Sequence, residues 1–112
     1  MPTTPAVKHH PTFHADREPE EVGKRIALVV DILGLTQAEV AARITKILPP
    51  GDKPMRQGTV SGWISGGKPM GLEKAQLFCD AYGVTLDWLY RGDTGTLPMT
   101  WLLAISKPSP DP

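Results

Sequence analysis

Five basic side chains, Arg43, Lys46, Lys53, Arg56 and Lys68, stand between Val40 and Leu72 against one acid, Asp52. This local balance of +4 sits inside a chain of 112 residues whose 12 basic and 12 acidic groups cancel. Acids gather on either side of the stretch: Asp16, Glu18, Glu20 and Glu21 before it, Glu73, Asp80, Asp87 and Asp93 after it. A neutral chain arranged in this way can turn a positive face toward a polyanion. The same residues also suit a solvated surface of mixed charge, and charge alone does not choose between the two.

Other groups with chemical potential lose it in context. Gly62 to Lys68 has the spacing of a phosphate-binding P-loop through its lysine. Pro69 stands where that motif needs a magnesium-holding Ser or Thr, and no buried strand precedes it. A lone cysteine, Cys79, excludes an internal disulfide and a Cys-rich zinc site. It falls among Ala75, Phe78 and Tyr82 at core spacing, as a small buried hydrophobe would. His9, His10 and His14 lack a Cys or carboxylate cluster to complete a metal site. No nucleophile–base pair or paired carboxylates emerge, so neither an enzyme nor a cofactor is expected.

The elements that must position the basic stretch are helical. Twelve Pro and eleven Gly are spread unevenly, which separates a folded centre from loose ends. Residues 1–19 lack helical or strand periodicity and read as a flexible arm. Val22, Ile26, Val29, Val30 and Leu33 recur at helical spacing up to Gly34, a natural stop. Thr36 with Glu39 three residues on is a capping-box pattern, in which each side chain satisfies a free N–H of the helix start. Val40, Ala41 and Ile44 form the buried stripe of that second helix, with Ile47 added if the helix runs on. Pro49, Pro50, Gly51 and Pro54 make residues 48–55 an irregular loop. A short helix covers Gln57 to Ile64 with Val60 and Ile64 on one face; Trp63 beside them reads as core. A fourth helix places Leu72, Ala75, Phe78, Cys79 and Tyr82 on its stripe before Gly83. Thr85 caps a fifth that ends at Gly92. The expectation is an all-α bundle of five helices over residues 20–92, followed by a tail at 93–112.

The tail departs from this pattern. Leu97 to Ile105 is too apolar for a solvated end and needs a surface to cover. Packing on its own domain and contact across a dimer, there even as an added strand, both remain open.

The order of elements carries a resemblance. The segments LTQAEVAARI, TVSGWISGGKPM and LEKAQLFCDAYGVTLDWLYRGD occur in that order and cover most of residues 24–93. Together they resemble the helix-turn-helix DNA-binding domain of the phage repressor and Cro-like (XRE) family, whose fold is a lambda-repressor-like bundle. The chain departs from the family between Ile44 and Thr59, where about nine extra residues enlarge a turn that is ordinarily about four residues long. Either the second helix is longer, through Ile47, or a loop bulges beside the third.

The resemblance implies roles for particular residues. Gln57, Gly58, Thr59 and Gly62 fall where the family meets base edges, and a short helix start fits a major groove about 12 Å wide; Arg56, just ahead of the helix, is placed to reach a guanine or a phosphate. Gln57 is suited to a bidentate contact with adenine, and Thr59 to a thymine methyl or a phosphate. Gln37 falls where the family holds a phosphate at a helix start. Ser61, Ser65 and Lys68 are further phosphate candidates, as is Lys53 in the enlarged turn; Arg43 and Lys46 read as solvated charges. The implied function is sequence-specific binding of double-stranded DNA by a bacterial or phage-type transcriptional regulator, a repressor by occupancy, acting as a homodimer on a two-fold operator. The alternative is an antitoxin or other interaction module that engages a protein partner through Leu97 to Ile105. No run of about 18 apolar residues and no basic-then-apolar leader pattern is present, so no membrane contact and a cytoplasmic location are expected.

Overall fold

A computed structural model of the chain describes residues 18–106. Among them it forms six α-helices and one 3₁₀ turn, with no strand. The helices are α1 (Pro19–Leu33), α2 (Gln37–Lys46), α3 (Gln57–Ser65), α4 (Leu72–Tyr82), α5 (Leu86–Arg91) and α6 (Met99–Ser106), with the 3₁₀ turn (Thr94–Thr96) before α6. The first 17 residues of the expected arm, its three histidines and the Pro-rich end 107–112 lie outside the described residues.

Helix boundaries follow local chemistry. Pro19 opens α1, where its missing N–H costs nothing. Glu20 and Glu21 in the first turn complement the helix dipole. The capping box of α2 is complete: Glu39 N donates to Thr36 Oγ1 at 3.1 Å and Thr36 N to Glu39 Oε1 at 2.8 Å. Thr85 caps α5 by accepting from Trp88 N. Gly34, Gly66, Gly83 and Gly92 end four of the helices with positive φ, from 67° to 82°.

One core joins these elements. Ile26 and Val29 of α1, Val40 and Ile44 of α2, Val60 of α3, Phe78 of α4 and Leu89 of α5 are fully buried. α1 and α3 approach closely at Gly23, where a Cβ would lie 2.4 Å from the Trp63 carbonyl oxygen and 2.6 Å from that of Ile64. Only glycine fits there.

Side chains from distant helices satisfy carbonyls that helix ends leave open. Arg25 Nη1 donates to Leu89 O at 2.9 Å, and Arg43 Nη2 donates to Ala81 O at 3.1 Å. Trp101 Nε1 donates to Tyr82 O at 2.9 Å. Tyr90 Oη reaches back to Met70 O at 3.0 Å.

The sequence expectation needs four corrections. The apolar tail is a sixth helix rather than a strand, and it packs on its own domain through buried Leu97 and Trp101. α2 stops at Lys46, so Ile47 is a cap and 40% exposed rather than part of the stripe. Leu33 and Leu72 keep helical spacing but sit at helix ends, at the margin of the core; they are 44% and 63% exposed. Arg43, exposed as expected, is more than a solvated charge: it donates to the end of α4 and lies over the Tyr82 ring at 5.5 Å.

Candidate nucleic-acid interface

The starts of α2 and α3 meet at the surface. Gln57 Nε2 donates to Gln37 Oε1 at 3.2 Å, joining the first residue of α3 to the first residue of α2. Two positive helix ends are thereby brought together. α2's start is closed by its capping box, whereas α3's N-cap, Arg56, gives no side-chain hydrogen bond. An uncapped helix start presents unsatisfied backbone N–H groups. The amide pair leaves Gln57 Oε1 as an acceptor and Gln37 Nε2 as a donor for further hydrogen bonds.

Around this pair the named residues divide. Arg56 and Gln57 are exposed, and Thr59 is half-buried. Gly58 is exposed with open space where a Cβ would stand, so the fold itself does not require glycine there. Gly62 is different. The Lys68 stem folds over it, with Lys68 Cβ 3.1 Å from the position a Gly62 Cβ would take. A position with no side chain of its own is thus covered by an alkyl chain, and Lys68 N donates to Gly62 O at 3.0 Å.

Ser65 is not a free hydroxyl. It donates to Gly62 O at 3.1 Å and accepts from Gly67 N at 3.2 Å, which fastens the end of α3. Its position at the negative end of the helix also disfavours an anion. Ser61 is half-buried on α3. Lys53, Arg56 and Lys68 are exposed and pair with no acid among the described residues. The structure therefore gathers Gln37, Arg56, Gln57 and Gly58 at one surface point. It commits Ser65 and Gly62 to the far end of α3, and it ties Arg43, still exposed, to the end of α4.

The enlarged turn resolves one alternative left by the sequence. α2 is not extended; residues 47–56 bulge between the helices. The bulge is closed at its neck. Thr45 Oγ1 donates to Ala41 O at 2.7 Å and accepts from Met55 N at 2.9 Å. Leu48 and Met55, at either side of the neck, are half-buried against the core. Pro49–Pro54 stay exposed, with Gly51 at φ 92° supplying the turn. Sequence reasoning passed over Thr45. Its signal was the proline pattern: Pro54 has no N–H, so Met55 brings the first backbone donor after it.

Cys79 is buried, and its thiol pKa is pushed up to about 12 by that burial, with the Asp80 charge adding to it. Burial also raises the Tyr82 phenol, with Arg43 opposing the shift and Glu39 adding to it. Neither belongs to the surface formed by α2 and α3. No group of three His, Cys, Asp or Glu able to hold a metal occurs among the described residues, and none of their helices is long and apolar enough to cross a membrane.

Comparison with protein-family models, curated proteins and solved structures returned no match.

Proposed function

We propose that this protein is a helix-turn-helix regulator of transcription that binds double-stranded DNA in a sequence-specific way. α2 and α3 form its helix-turn-helix inside a repressor-like bundle, and it works in the cytoplasm as a homodimer on a two-fold operator. One observation carries the reading: the Gln57–Gln37 amide pair at 3.2 Å, where an uncapped α3 start meets the start of α2. In this reading Gln57, Arg56, Gly58 and Thr59 face base edges. Gln37, Lys53 and Lys68 hold phosphates, with Ser61 beside them. Phosphate contacts set register, and base contacts set sequence.

Selection from a random duplex library, followed by salt titration on the winner and on a scrambled control, tests the proposal. An enriched palindrome bound far more tightly than the control is the expected result. The slope of affinity against salt then counts the phosphates engaged. A library with no enrichment, and equal weak binding to both duplexes, overturns the reading.

A second reading draws on α6. Met99 and Leu103, four residues apart, are 66% and 64% exposed on a helix with no charged residue. In the first reading this face is shared by two copies of the chain. In the second it receives a different protein, as in an antitoxin.

A further inference from the structure

We propose that Thr45 is a positioning residue for sequence discrimination: its hydroxyl, clasping the Met55 amide across the enlarged turn, fixes where α3 begins relative to α2. The inference rests on the DNA-binding reading above and adds to it the device that sets its geometry.

A connection of ten residues, 47–56, is a poor spacer for two helices that must present one surface. Exposed residues 49–54 have little to hold them. What the loop does outside its neck is irrelevant to α3 if the neck is fixed, and Thr45 fixes it. The hydroxyl lies in the last turn of α2, and its donor, Met55, stands two residues before Gln57. The hydrogen that Thr45 gives to Ala41 O orients its lone pair toward Met55 N. The chain then runs back along α2, so that Gln57 reaches Gln37 at the opposite end of that helix. Beyond the core packing of Val60 and Trp63, the start of α3 is tied to α2 by two hydrogen bonds. One is a half-buried hydroxyl–amide bond, and the other is an exposed amide pair that water competes for. The first is the stronger determinant of position. Met55 N–H has no other acceptor among the described residues once the hydroxyl is gone.

Thr45→Val removes the acceptor while keeping the shape of the side chain, and Thr45→Ser keeps the hydroxyl. Both are compared with the wild type as the full chain, at a temperature where each is folded. The expected result is that Thr45→Val loses about tenfold in affinity for the selected duplex and little for a scrambled one, because displaced base contacts matter only where bases are read. Thr45→Ser is expected to restore discrimination. If Thr45→Val discriminates as the wild type does, or loses equally on both duplexes, the proposal fails and the clasp is structural only. Amide exchange supplies a readout independent of DNA. Met55 N–H is expected to be protected in the wild type and to exchange faster in Thr45→Val, with loss of the Gln37–Gln57 side-chain contact in nuclear Overhauser spectra. Rapid exchange of Met55 in the wild type overturns the clasp even if Thr45→Val does not fold. A wild type that selects no duplex, yet shows the protected Met55 amide, refutes the DNA reading and with it the role of Thr45 in discrimination; loss of the Gln37–Gln57 Overhauser contact in Thr45→Val then supports the positioning of α3 alone, and its retention overturns that too.

Discussion

At the scale of single residues, the two glutamines at the helix starts separate specificity from affinity. Gln57→Ala is expected to cost about 1–3 kcal/mol at one base position, and Gln37→Ala to weaken all duplexes alike. Competition binding with single-base operator variants checks this; equal losses on specific and random DNA for Gln57→Ala would remove its base-reading role. Cys79 yields a prediction about pH. The unfolded thiol ionises near 9.0, whereas the folded one holds its proton to about 12. The folded-state pKa is raised, so this group favours the native state below pH 9 and loses that contribution as pH climbs toward 12. Urea midpoints measured below and above pH 9.0 are expected to fall more for the wild type than for Cys79→Ala. A thiol reagent should label the native chain only slowly. Burial of Cys79 was legible from its spacing. The roles of Arg43 and Ser65 were not, because each depends on a carbonyl or amide that only the folded chain brings near.

At the scale of helices, start and stop signals were readable because they are local. Thr36 and Glu39 announce α2, and Gly34, Gly83 and Gly92 end three helices with positive φ. The existence of α6 was not readable. It is short and uncharged, so nothing in its sequence separates helix from strand, and its packing through Trp101 supplies the decision. The neck of the enlarged turn was equally hidden, since Thr45 and Met55 lie ten residues apart and meet only in the folded chain. The crossing of α1 and α3 is the tightest point between elements. Gly23→Ala is expected to destabilise the fold by about 1–3 kcal/mol, because its methyl group would meet backbone carbonyls rather than a yielding side chain. Gly58→Ala, which meets nothing, is expected to stabilise it by about 0.4–1 kcal/mol. Denaturant titration of both variants gives the comparison, and a Gly23→Ala protein as stable as the wild type would contradict the crossing.

For the molecule as a whole, the exposed face of α6 decides between the two readings of its partner. Leu103→Glu is expected to convert a wild-type dimer to a monomer and to weaken operator binding together with it, as measured by sedimentation and by DNA titration. A wild type that sediments as a monomer, with Leu103→Glu binding DNA unchanged, would favour a foreign protein on that face. Net charge was a poor guide at this scale, because half-buried Arg25 and exposed Arg43 are both engaged by carbonyls at helix ends. The bond from Arg25 to Leu89 also bears on how the chain is made. It links residues 64 positions apart. At a synthesis rate of about 5–20 residues per second, α1 leaves the ribosome roughly 3–13 s before the carbonyl its arginine holds. During that interval the apolar stripe of α1 has no complete bundle to enter, which makes the nascent chain, rather than the finished protein, the form most open to chaperones and proteases.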